Sequence, residues 1–149
     1  MKVIVATDGT EAAIDAAHRA IELFRPEAKI VLVTVILDRE DPMESAGGFE
    51  GPLQTEEEAD EDYAEQVAAG NTALEHTASA VGDGVEVKLI SADEHPGPAI
   101  VHLAEQLHPD VIVIGAAGKG PLKRLLRGSV SDHVVHHAPC PVLVVRHHD

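Results

Sequence analysis

Apolar positions recur along this chain with two different periods, and the two periods alternate. Lys2 to Thr7 (KVIVAT) is a short apolar run closed by Asp8-Gly9-Thr10, residue types that suit a turn and a helix cap. Ile14, Ala17, Ile21 and Phe24 follow at helical spacing, and Pro26 ends the helix they predict. Ile30 to Leu37 (IVLVTVIL) is continuous and β-branched, the mark of a strand covered on both faces. Tyr63, Val67, Leu74, Ala78 and Val81 form the stripe of a second helix. It opens with the acidic run Glu56 to Glu65, where negative charge suits the N-terminal dipole, and Gly70 reads as a tolerated weak point inside it. Val85 to Ile90 alternates like a half-exposed edge strand. Ile100, Leu103, Ala104 and Leu107 predict a third helix, with Pro98 in its first turn. Val111 to Ile114 reads as a buried strand, Ser129 to about His137 as a helix, and Pro141 to Arg146 as a last strand.

Strands and helices thus alternate five times without a tandem repeat or a linker. That pattern predicts one domain over 1–149: a three-layer doubly wound, Rossmann-like α/β sandwich on a five-stranded parallel sheet. Ligands in such folds sit at the carboxyl ends of the strands, where the strand order reverses. Two loops carry the features expected there. Asp38 to Gln54 holds Pro42, Gly47, Gly48, Gly51 and Pro52 and is long enough to be functional. Gly115 to Ser131 (GAAGKGPLKRLLRGSVS) joins the fourth strand to the last helix.

The second loop has the chemistry of a phosphate site. Gly115, Gly118, Gly120 and Gly128 let backbone N–H groups approach a ligand closely. Ser129-Val-Ser-Asp132 is a capping signature, and the helix it opens offers unpaired donors with a positive dipole end. Lys119, Lys123, Arg124 and Arg127 place four of the chain's 11 basic side chains within nine positions.

The spacing Gly115-x2-Gly118-x9-Gly128-Ser129 resembles the nucleotide loop of the ATP-binding branch of the universal stress protein family. Gly128 to Arg146 is similar to that family's C-terminal segment almost throughout, and the likeness reaches back to the first strand. It is weakest over the acidic segment after the second strand. The resemblance implies sheet order 3-2-1-4-5, with the reversal between the strands that Asp8 and Gly115 end. It implies ATP, with Mg²⁺, bound around Ala6, Asp8, Val35, Gly115, Gly118, Lys119, Arg127, Gly128, Ser129, Val130 and Ser131. Asp8 then lies near base and ribose, and the Val35 backbone meets adenine. Ala116 and Ala117 replace polar or basic residues often present in the loop, a loss that Lys119 and Arg127 are placed to offset. The resemblance also implies a homodimer, by antiparallel pairing of the last strand across a two-fold axis.

Composition narrows the classes further. Aromatic residues make up only 2% of the chain, so the core is built from Val, Ile, Leu and Ala. The formal charge of −15 argues against nucleic-acid partners, whose phosphates it repels. The same acidity suggests a protein tuned to high salt, where screening relieves self-repulsion. No apolar run is long enough to span a membrane. The opening MKVIVATDG reads as strand and turn rather than a signal peptide, which points to the cytoplasm. A single cysteine, Cys140, fits a reducing compartment and reads as structural.

Other chemistries fail on particular residues. His133, His136 and His137 share a helix, but no Cys or carboxylate completes a zinc shell, and they read as surface histidines. The acidic run lacks the spaced ligands and glycine of a calcium loop. A P-loop needs Ser or Thr after its Lys, and Lys119 is followed by Gly120. A phosphoacceptor receiver needs aspartate at the end of its third strand, where Ile90-Ser91 stands. Three functions remain: a regulatory ATP-binding module, a slow ATPase or phosphotransferase, and an interaction protein with a vestigial site. The first is favoured, because no general base or magnesium-ligand pair beyond Asp8 is evident near the loop.

Overall fold

The computed structural model describes residues 1–38, 55–93, 95–116 and 129–146, Ser129 by its backbone alone. Five strands form one parallel sheet in the order β3-β2-β1-β4-β5: β1 Lys2–Ala6, β2 Lys29–Leu37, β3 Glu86–Ala92, β4 Val111–Ala116 and β5 Val142–Arg146. Helices α1 Glu11–Phe24, α2 Glu56–Val81, α3 Pro96–Leu107 and α4 Ser129–His137 lie between them in the chain. The central strand β1 pairs on both sides, Val5 standing opposite Leu32 of β2 and Val113 of β4. Both neighbours of β1 are apolar along most of their length because both faces of the sheet are covered.

The alternation of side chains along each strand divides the core in two. Ile4, Val31, Val33, Ile112 and Ile114 pack with Ile100 and Ala104 of α3 and Val134 of α4. Val3, Val5, Ile30, Leu32 and Val113 pack with Ala16, Ala17 and Ala20 of α1 and Leu74 of α2. The doubly wound sandwich expected from the chain's periodicity is therefore present.

Several local readings change. On α1 the fully buried face is Ala12, Ala13, Ala16, Ala17 and Ala20, while Ile14, Ile21 and Phe24 are only half-buried. Alanines let the helix axis approach the sheet closely, and the larger residues flank the seam. Helix α3 begins two residues before Pro98, at Pro96, where a missing N–H costs nothing. Strands β3 and β4 run on to Ala92 and Ala116, past the apolar runs that announced them. Thr55 caps α2 in a reciprocal box with Glu58, ahead of the acidic run.

Gly70 is the largest departure. A Cβ there would stand 2.6 Å from Leu89 Cδ1 and 3.0 Å from Ile36 Cγ2. The glycine is a condition of close packing between α2 and the sheet, not a weakness the helix tolerates.

Candidate functional site

The carboxyl ends of β1 and β2, the middle of α2 and the starts of α3 and α4 enclose a cleft of about 260 Å³. It lies where the chain leaves β1 for one side of the sheet and β4 for the other, the reversal point of a doubly wound fold. Its wall is largely apolar. Val33, Val35, Ile36 and Leu37 come from β2, and Ala69, Gly70 and Ala73 from α2. Ile100 and Val130, both buried, line it from α3 and α4. Polar groups enter it from Thr7, Asp8, Thr34 and Gln66.

The turn after β1 is held by a chain of side-chain hydrogen bonds. Asp8 Oδ1 accepts from the Thr10 backbone N–H at 3.0 Å and from the Thr10 hydroxyl at 2.6 Å. Thr10 Oγ1 in turn accepts from Ala13 N and caps α1. The aspartate is thus a turn residue as well as a cleft residue. Gly9 completes the turn at φ +79°, and a Cβ there would meet the Ala73 Cα at 3.0 Å. Only glycine allows both this backbone conformation and this approach to α2.

A buried threonine network lies under the cleft floor. Thr77 donates to the Ala73 carbonyl at 2.8 Å, which commits its single proton. Thr7 therefore donates to Thr77 across 2.8 Å while its own oxygen accepts from Gly9 N. Thr34 donates to the Thr7 carbonyl at 2.6 Å. These bonds tie β1, β2 and α2 together at the level of the cleft. Among the described residues, no buried side-chain polar atom is left without a partner.

Of the residues singled out in the sequence, the structure brings Ala6, Asp8, Val35 and Val130 together around the cleft. Gly115 is not part of its lining. A Cβ at Gly115 would stand 3.0 Å from the Ala12 carbonyl oxygen, so its place in the fold is the close approach of β4 to the first turn of α1. Ser131 is buried on α4. Gly118, Lys119, Arg127 and Gly128 lie outside the described residues, as does the side chain of Ser129 and almost all of the Asp38 to Gln54 loop.

Sequence reasoning missed Thr7, Thr34, Gln66, Gly70, Ala73 and Ile100. On α2 the small residues Gly70, Ala73 and Thr77 recur at helical spacing, but alanines on its other faces hide the pattern. Gln66 carried no signal, because it reaches Leu37 across 29 positions of chain.

His136 and His137 are exposed, as expected, but His133 is half-buried, with its ring carbons 3.0 Å from where a Cβ on Gly97 of α3 would stand. It stacks on His137 at 4.2 Å between centroids. Burial, then the neighbouring His137 and His95, hold its pKa below the ordinary imidazole value. Cys140 packs half-buried against the core. Burial pushes its thiol up, against a backbone hydrogen bond with Ile112 and with Asp110 adding to the rise. A thiol so placed is poorly nucleophilic. Among the described residues, no helix is long and apolar enough to cross a membrane.

A doubly wound α/β protein with a ligand-sized cleft at its reversal point is the class that fold and site define. The chain belongs to the universal stress protein family, whose model matches residues 1–146. A universal stress protein of Methanocaldococcus jannaschii is 30% identical over 150 residues, 97% of this chain and 81% of the relative. Among solved structures, the hypothetical protein MJ0577 superposes with a TM-score of 0.71 at 28% identity, over 99% of this chain and 96% of the other. A universal stress protein in complex with cAMP gives 0.62 at 24% identity, over 97% and 96% of the two chains. A family member from Arabidopsis thaliana with AMP bound gives 0.63 at 21%, over 99% and 92%.

Proposed function

We propose that this chain is an adenine-nucleotide-binding regulatory module, taking ATP with Mg²⁺ in the cleft between β2, α2 and the start of α4. The observation that carries the reading is the cleft's division of labour. Most of its wall is apolar, which suits the face of a purine, and Thr7 and Asp8 bring polar groups to it from the turn after β1. Asp8 Oδ2 has no hydrogen-bond partner among the described residues, which leaves it to accept from a sugar hydroxyl. Val130, one residue into α4, brings the cleft to that helix's N-terminus, where free backbone donors suit phosphate. The family members solved with cAMP and AMP support the same ligand class. The glycine-rich loop, with Gly118, Lys119, Arg127 and Gly128, supplies the remaining phosphate donors.

Hydrolysis is slow in this reading. Asp8 is the only carboxylate lining the cleft among the described residues, and its Oδ1 is already committed to Thr10. That leaves no positioned base for an attacking water. The protein acts as a cytoplasmic homodimer joined through β5.

Calorimetric titration with ATP and Mg²⁺ tests the site, using protein stripped of bound ligand and its Gly128→Val variant. The unmodified protein should bind and the variant should not. Equal affinity in both would remove the loop from the site, and no binding in either would remove the reading.

A further inference from the structure

We infer that Gln66 reads the base: its amide N–H donates to a ring nitrogen of the purine held in the cleft, and so acts as a specificity-determining group from α2. The inference rests on the nucleotide reading above and assigns a role to a residue outside the loop and strand-end positions that carry it.

The argument begins with the orientation of the amide. The backbone N–H of Leu37, near the end of β2, needs an acceptor, and Gln66 Oε1 supplies it at 3.1 Å. Because the Leu37 group is a donor, the side-chain oxygen must face it, and the two amide groups cannot be exchanged. Nε2 is therefore left with two N–H donors and, among the described residues, no acceptor for either. Gln66 is half-buried and lines the cleft beside Val35, Leu37 and Gly70. Because no buried side-chain polar atom among the described residues lacks a partner, Nε2 reaches solvent in the open cleft. A ligand that displaces water from it and places an acceptor there gains a hydrogen bond beside an apolar wall.

The position within the cleft limits which part of the ligand this is. Asp8 stands at the polar turn after β1, whereas Gln66 stands at the opposite end of β2's contribution, against the slot formed by Ile36, Leu37 and Gly70. Gly70 lets α2 lie close against Ile36 and Leu89 at the edge of that slot. The flat heterocycle belongs in the slot, and its ring nitrogens are the acceptors it offers. The same bond to Leu37 fixes the strand end from which the backbone near Val35 faces the ligand.

The test uses adenosine, which is uncharged, so that changes at position 66 are not confused with phosphate electrostatics. Gln66→Glu keeps an acceptor for Leu37 N–H but replaces the amide donor with a second acceptor, and Gln66→Leu removes both. Affinities for adenosine and for its 1-deaza, 3-deaza and 7-deaza analogues are measured on the full chain by calorimetry. Both variants should lose about tenfold in affinity for adenosine. One deaza analogue should lose a similar factor with the unmodified protein and show no further loss with Gln66→Leu. Undiminished adenosine binding by both variants would overturn the inference, as would equal losses from position 66 with all three analogues. Failure of the unmodified protein to bind adenosine or AMP at all would instead overturn the nucleotide reading on which it rests.

Discussion

Thr7 and Thr77 stand 70 positions apart in the chain and share a buried hydrogen bond of 2.8 Å. Thr7 ends the central strand's path into the cleft and Thr77 lies on α2, so the bond sets the distance between two walls of the site. Thr77→Val preserves shape but leaves the Thr7 hydroxyl proton without an acceptor in a buried place. The expected cost is about 1–3 kcal/mol. In a double-mutant cycle with Thr7→Val, the combined loss should fall short of the sum of the two single losses. Strict additivity in urea unfolding would show that the two hydroxyls are not coupled.

Gly70 offers a test of sign. In an exposed helix interior Gly→Ala stabilises by about 1 kcal/mol. Here the added methyl meets Leu89 and the stiff β-branched side chain of Ile36. Gly70→Ala should therefore destabilise, by about 1 kcal/mol net of the propensity gain. Removing the nearest obstacle with Leu89→Ala should make the same substitution less harmful. A plain gain in thermal midpoint from Gly70→Ala alone would refute this packing argument.

His133 makes stability depend on pH. Its folded pKa is lowered, first by burial and then by His137 and His95, so the unfolded chain holds that proton more tightly. The contribution is fully present above the unfolded value near pH 6.5 and is lost as pH falls through the window below it. His133→Gln should show a smaller drop in thermal midpoint between pH 7.5 and pH 5.5 than the unmodified protein. Parallel drops would place the acid sensitivity elsewhere.

Charge sets the response to salt. With 26 acidic against 11 basic side chains, self-repulsion is large at low ionic strength. The thermal midpoint should climb steeply between dilute buffer and molar KCl as screening shortens the range of that repulsion. A flat response would end the salt-adapted reading.

Strand β5 forms one edge of the sheet, and Val144 on it is 38% exposed. Such an edge is open to a second chain unless a charge blocks it. Light scattering should find a dimer, and Val144→Lys should give a monomer with its fold intact. A monomeric unmodified protein would dispose of the proposed assembly.

What the sequence by itself determined was the order and type of the elements and the class of the fold. The β-branched run Ile30 to Leu37 and the helical spacing of Ile100, Leu103, Ala104 and Leu107 are local signals, written within a few residues of the structure they make. The position of Asp8 just past β1 was legible for the same reason, since strand ends at the reversal point are where such folds bind. Ala6 and Val35, by contrast, came only from the resemblance to a known family.

Only the tertiary structure decided what lies opposite them. Gln66 meets Leu37, Gly70 meets Leu89, Thr77 meets Thr7 and Gly97 meets His133 because the sheet order brings distant segments together. None of these pairs has a spacing that repeats along the chain. Hydrophobic periodicity records which face of an element is buried, and it does not record which partner that face will find. The same limit applied to Gly70, whose cost to an isolated helix is visible in the sequence while the side chains that require it arrive from two other strands.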